Sequence, residues 1–119
     1  MSMQGSEALR ARVQQRVDEA TVAQFQRDGA CVIRQLLTPD ELALLAEGIE
    51  QNLAAPSPRG KVASRPDDPG RFFEDFCNWQ HIDAYRRFIH ETPLALLAQR
   101  LMGSDSVRLY HDHLLVKEP

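Results

Sequence analysis

His111-Asp112-His113 is where metal-binding side chains crowd closest in this sequence. Two imidazoles and a carboxylate are the ligand types of the facial triad that holds non-haem iron. The spacing argues against these three forming it. In a strand His111 and His113 share one face and Asp112 points to the other, so the three do not converge. The two histidines alone could form a metal pair, as HxH does on other barrel strands, but a tight site also needs a third ligand. No metal ligand and no catalytic residue is therefore assigned. Lys117 falls on the same strand face as the histidines. It is either a solvated charge at the strand end or, turned inward, a partner for an anionic ligand. Arg71 stands beside a run of aromatics and could stack on one or pair with a carboxylate. Cys77 has no partner that would make it a nucleophile and reads as a small buried hydrophobe. Trp79 reads as a core anchor. The glycine-rich phosphate and dinucleotide loops, the serine elbow and the zincin helix have no match here.

The elements that must position these residues follow from pattern and punctuation. Ser6 can cap a first helix to about Val17, with Leu9, Val13 and Val17 as a sparse stripe, so that residues 1–20 read as an N-terminal extension. Thr21 can cap a second helix, Val22 to Asp28, closed by Gly29. Ala30 to Arg34, centred on Val32 and Ile33, reads as a short strand. Thr38-Pro39-Asp40-Glu41 has the form of a capping box with proline at the first helical position. The helix behind it carries Leu42, Leu45, Ile49 and Leu53 at helical spacing. Residues 54–70 hold four of the seven prolines and two of the six glycines. Such a long loop reads as a mobile excursion or a lid. His81 to His90 forms a helix with Ile82, Tyr85 and Ile89 inward. Thr92-Pro93 opens another, with Leu94, Leu97 and Leu101 on one face and Gly103 closing it. Ser106 to Lys117 reads as the last strand. Val107, Leu109, His111, His113, Leu115 and Lys117 lie on one face, and Arg108, Tyr110, Asp112, Leu114 and Val116 on the other.

That strand lacks partners, because the only other strand expected is short. An open edge of this kind invites pairing with another strand, so self-association through 106–117 is expected. The same imbalance makes part of a larger protein the expected identity of the chain. A freestanding helical interaction module, binding through its aromatic segment, is the alternative.

Composition narrows the function classes. The chain has 119 residues, a net charge of −3 and a pI near 5.8. A nucleic-acid-binding domain would carry a basic stripe, so no nucleic-acid partner is expected. No apolar run approaches the roughly 18 residues of a membrane span, and no membrane partner is expected. Two cysteines are too few for a disulfide framework, which points to a reducing, cytoplasmic setting.

Phe25-Gln26-Arg27-Asp28-Gly29-Ala30-Cys31-Val32-Ile33 resembles the opening of the phytanoyl-CoA dioxygenase family. The likeness continues through Leu37-Thr38-Pro39-Asp40-Glu41-Leu42. It is most specific over Leu109-Tyr110-His111-Asp112-His113-Leu114-Leu115-Val116-Lys117-Glu118-Pro119. It covers about residues 21–119. The resemblance implies an α+β chain, with a helical N-terminal layer and the first strands of a double-stranded β-helix, or jelly roll, incomplete in this chain. It implies an Fe(II)- and 2-oxoglutarate-dependent oxygenase that hydroxylates a small organic substrate. It also implies that His113 points toward the 2-oxoglutarate pocket, with Arg71 as the basic residue that can reach the co-substrate. The family's tryptophan-histidine-x-aspartate motif, distal histidine and arginine have no counterpart in this sequence. The expectation is that the chain alone is inactive, binds neither Fe(II) nor 2-oxoglutarate tightly, and that Ala54 to Gly70 helps cover the site of the complete protein. On this reading His113→Ala weakens 2-oxoglutarate use and Asp112→Ala matters much less.

Overall fold

The computed structural model describes residues 3–119, as five helices and one small antiparallel sheet. The chain is α+β, as expected. The helices are α1 (Met3–Arg16), α2 (Glu19–Asp28), α3 (Pro39–Ala54), α4 (Asp83–Glu91) and α5 (Leu94–Met102). The strands β1 (Lys61–Val62), β2 (Arg71–Phe76) and β3 (His113–Glu118) pair in the order β1-β2-β3.

One core forms where α1 and α2 pack on α5. Val13, Val17, Leu36 and Leu101 are buried there, with Phe25, Ile33 and Leu97 around them. Leu9, Val13 and Val17 are each at most 8% exposed, so α1 is an integral layer and not a loose extension. It begins before Ser6. Asp18, not Thr21, caps α2: its Oδ1 accepts the Thr21 amide at 2.8 Å, satisfying one of the helix's orphan donors. Gly29 closes α2 in the left-handed region, at φ 75°, a conformation glycine adopts without strain. The capping box of α3 is present on both sides, Thr38 accepting from the Glu41 amide and Glu41 from the Thr38 amide. Glu41 also pairs with Arg12, which ties α1 to the start of α3.

Two expected strands change. Residues 30–34 form no strand: Cys31 and Ile33 turn toward the helical core while Val32 is 72% exposed, and no neighbour offers a ladder. The last strand is shorter than 106–117. It starts at His113, because its partner β2 ends at Phe76 and Cys77 then takes a left-handed turn at φ 61°. Cys77 is exposed, not a buried hydrophobe.

The second layer is α3 on α4, tied to the sheet through the bond from Asn52 to Asp75. The Leu42-to-Leu53 stripe is only partly covered, with Leu42 and Leu53 both exposed. What α3 buries instead is Gly48 and Asn52. A Cβ at Gly48 would lie 2.6 Å from Cε1 of Tyr85 and also overlap Cδ1. Gly48 therefore lets the Tyr85 ring lie directly on the helix backbone. Gly48→Ala should lose about 1–2 kcal/mol net. Overpacking costs roughly 1–3 kcal/mol and outweighs the roughly 1 kcal/mol that alanine gains in helix propensity. Urea unfolding of the two proteins measures the difference, and an unchanged or raised midpoint would refute it.

Residues 54–70 are not a free excursion. β1 adds to the edge of β2, and Ser57 and Arg59 are bonded into the β2 end of the sheet. The aromatic segment is largely β2 itself, with Phe73 buried and Phe72 and Phe76 half-buried.

Candidate functional site

Register decides which side chains meet. Phe73 pairs with Val116 and Asp75 with Leu114, so these four share one face of the sheet. The helices reach this face at Asp75: Asn52 of α3 bonds Asp75, and Tyr85 of α4 bonds Asn52. Phe72 pairs with Lys117, Glu74 with Leu115, and Phe76 with His113, on the opposite face. There His113, Leu115 and Lys117 are exposed. The period-two assignment of His113, Leu115 and Lys117 to one face matches the register.

A polar knot fixes the helix side. The buried Asp75 carboxylate accepts from Asn52 Nδ2 at 2.9 Å, from the Ser57 amide at 2.8 Å and from the Ser57 hydroxyl at 2.6 Å. Burial pushes this carboxyl up, but the Ser57 and Asn52 donors outweigh it and hold the group well below the usual carboxylate range. Tyr85 donates its hydroxyl to Asn52 Oδ1 at 3.1 Å. Burial, then the nearby charges of Asp112 and Asp75, push its hydroxyl up to about 12. Nothing in the sequence marks this knot, since Asn52, Ser57 and Asp75 are far apart in the chain.

Asp112 is a second clasp. Its carboxylate accepts the Asn78 amide at 3.0 Å and the Trp79 amide at 3.0 Å, and its carbonyl accepts the Cys77 amide. These bonds hold the turn that leads into α4. Asp112 is thus engaged structurally.

The exposed face carries charge between aromatic rings. Lys61 Nζ lies 3.0 Å from Glu74 Oε1, and His113 Nε2 lies 3.5 Å from Glu74 Oε2. The Phe76 ring centroid is 5.4 Å from that of His113, and Arg59 sits 5.8 Å over Phe76. Lys117 is four residues along the strand from His113, about 13 Å at strand rise. Arg71 is not brought to this group. It pairs with Glu118 at the other end of β2, shares the parity of Phe73 and Asp75, and stacks 5.6 Å over the Phe73 ring. His111 lies 6.1 Å from His113 between ring centroids. Trp79 is half-buried, edge-on to His90.

The profile of the phytanoyl-CoA dioxygenase family matches residues 25–119, most of the sequence. This chain belongs to the phytanoyl-CoA dioxygenase family. No curated protein and no solved structure matches it. Iron is the metal this family implies. Among the described residues no three histidine, cysteine, aspartate or glutamate side chains converge on one point. His111 and His113, 6.1 Å apart between ring centroids, gain no third ligand from Asp112, whose carboxylate is committed to the backbone at 78–79. The residues of this phytanoyl-CoA dioxygenase family chain do not fit an iron centre. No described helix is long and apolar enough to cross a membrane.

Proposed function

We propose that this chain is the helical layer and opening strands of an Fe(II)- and 2-oxoglutarate-dependent oxygenase that hydroxylates a small organic substrate. The family match carries this reading. The sheet supports it: one face is tied to the helices through Asp75, while the other keeps His113, Glu74 and Lys61 among aromatic rings. A barrel wall that borders a polar co-substrate needs that division, with an apolar outer packing face and an inner face holding a few placed charges. In a jelly roll β3 would pair onward along its second edge, and its His113 face would look inward.

His113 has the chemistry for a co-substrate carboxylate. Nε2 faces Glu74, and Nδ1 has no bond to any described residue. Lys117 lies on the same face but too far along it to grip the same carboxylate. Its place is at the Phe72 end, where it adds positive charge to the face. Iron would come to a ligand set outside these residues, so the chain by itself is inactive in this proposal.

The purified 119-residue chain should show no stoichiometric Fe(II) binding at micromolar concentrations and no succinate release from 2-oxoglutarate. Calorimetric metal titration and a succinate assay test this. Tight binding or turnover would overturn the proposal and restore His111 and His113 as metal ligands.

A further inference from the structure

We propose that Glu74 is a positioning residue for His113: bridged to Lys61 on its other oxygen, its carboxylate holds the imidazole through Nε2 so that Nδ1 is the nitrogen presented to the co-substrate side. The inference rests on the reading of the exposed face as that side.

The geometry of one sheet face carries it. Glu74 lies on the central strand with Lys61 of β1 opposite it and Leu115 of β3 on its other flank. His113 is therefore its diagonal neighbour, within reach of long side chains. One carboxylate oxygen meets Lys61 at 3.0 Å and the other meets the imidazole at 3.5 Å. The Glu74 side chain is only 17% exposed, whereas that of His113 is 36% exposed. The partner that is held is the accessible one, and the partner that holds is sheltered. Phe76 fixes the ring from the side, at 5.4 Å between centroids.

The charges around the imidazole are Glu74 from β2, Lys61 from β1 behind it, Arg59 across Phe76, and His111 on the approach to β3. Asp112 is turned away to the backbone at 78–79. Among the described residues Glu74 is thus the one carboxylate in contact with His113. The Lys61 bond, opposed by burial and aided by the Lys61 and His113 charges, holds the Glu74 carboxyl below its ordinary value. Its oxygen faces Nε2 at 3.5 Å, the contact through which the proposal has it take the Nε2 proton. When a histidine's second nitrogen is engaged this way, its tautomer and ring orientation are set by that bond. In the neutral imidazole Nδ1 is then an acceptor, and in the protonated one a donor to an anion.

Nuclear magnetic resonance on the 119-residue chain tests this without an active enzyme. In the wild type, contacts between the His113 and Phe76 rings should appear in nuclear Overhauser spectra. Glu74→Leu should lose them, and Glu74→Gln, whose amide oxygen still accepts from Nε2, should keep them. Titration of the Glu74 carboxyl should move upward in His113→Gln, and upward again in Lys61→Met. Ring contacts unchanged in Glu74→Leu, or a Glu74 titration indifferent to His113→Gln, would overturn the proposal. His113 is exposed, so His113→Gln keeps the test open even where Glu74→Leu fails to fold. Adding 2-oxoglutarate alone at millimolar concentration, enough for the weak binding expected of this chain, should shift the His113 Nδ1 resonance. Absence of that shift with the Glu74 coupling intact would sink the co-substrate reading while still supporting the hold on the imidazole.

Discussion

Asp75→Leu should destabilise this chain by about 3 kcal/mol or more. A hydrogen bond to a charged group is worth about 1.5–3 kcal/mol, and Asp75 accepts from Asn52 and twice from Ser57. These contributions do not add fully, but removing the acceptor also leaves buried donors unpaired. Asn52 is fully buried and would lose its partner for Nδ2. Small domains are stable by roughly 5–15 kcal/mol, so this one change uses up a large part of the margin. Asp75→Asn keeps the shape and one acceptor, and should cost about half as much. The effect has a pH signature. The folded carboxyl is held below its unfolded value, near about 3.9. The stabilisation is therefore complete above that value and lost as pH falls below it. Acid unfolding followed by circular dichroism should show a wild-type loss beginning near pH 4, and Asp75→Asn should remove that part of the slope. A flat wild-type profile from pH 5 to 2.5 would show that the buried carboxylate is not the acid-sensitive element.

What the sequence discloses and what it hides both follow from distance along the chain. The α3 start was legible because Thr38, Pro39 and Glu41 act within one turn. The Gly29 and Gly103 stops were legible for the same reason. β2 was not: a strand with Asp75 facing a helical layer makes sense only once Asn52 and Ser57 are known to reach it. Val32 and Ile33 have strand-like side chains, but a strand also needs a partner, and none lies beside them. Residues 106–112 carry the same alternation as 113–118, and only the length of β2 separates irregular chain from strand. The face of His113 was readable from period two alone. Its hold by Glu74 was not, because cross-strand register is absent from a linear pattern. Arg71 is a different case. Its type suits an anion, but its parity places it with Phe73, away from His113.

Asp112→Ala and His113→Ala should separate stability from ligand recognition. The Asp112 carboxylate accepts two backbone amides, at Asn78 and Trp79, that open the turn into α4. Its removal should cost about 2–3 kcal/mol, the scale of charge-assisted bonds at a partly covered site. The urea midpoint should fall while the unfolding slope stays the same. His113 is exposed and belongs to no clasp of the helical layer, so His113→Ala should stay within about 0.5 kcal/mol of wild type. In a catalytically competent protein containing these residues the order should reverse. Losing a bond from His113 to a charged ligand should raise the 2-oxoglutarate KM about tenfold to a hundredfold, equivalent to roughly 1.5–3 kcal/mol. Asp112→Ala, assayed below its own unfolding temperature, should lower the amount of folded enzyme far more than it changes that KM. The two variants neighbour each other in sequence, so a general disturbance of the strand would affect both measurements in both proteins. If His113→Ala unfolds as readily as Asp112→Ala, the division between clasp and ligand face is wrong. If Asp112→Ala raises the KM as much as His113→Ala, the carboxylate reaches the co-substrate side, and the turn at 78–79 must be held by something else.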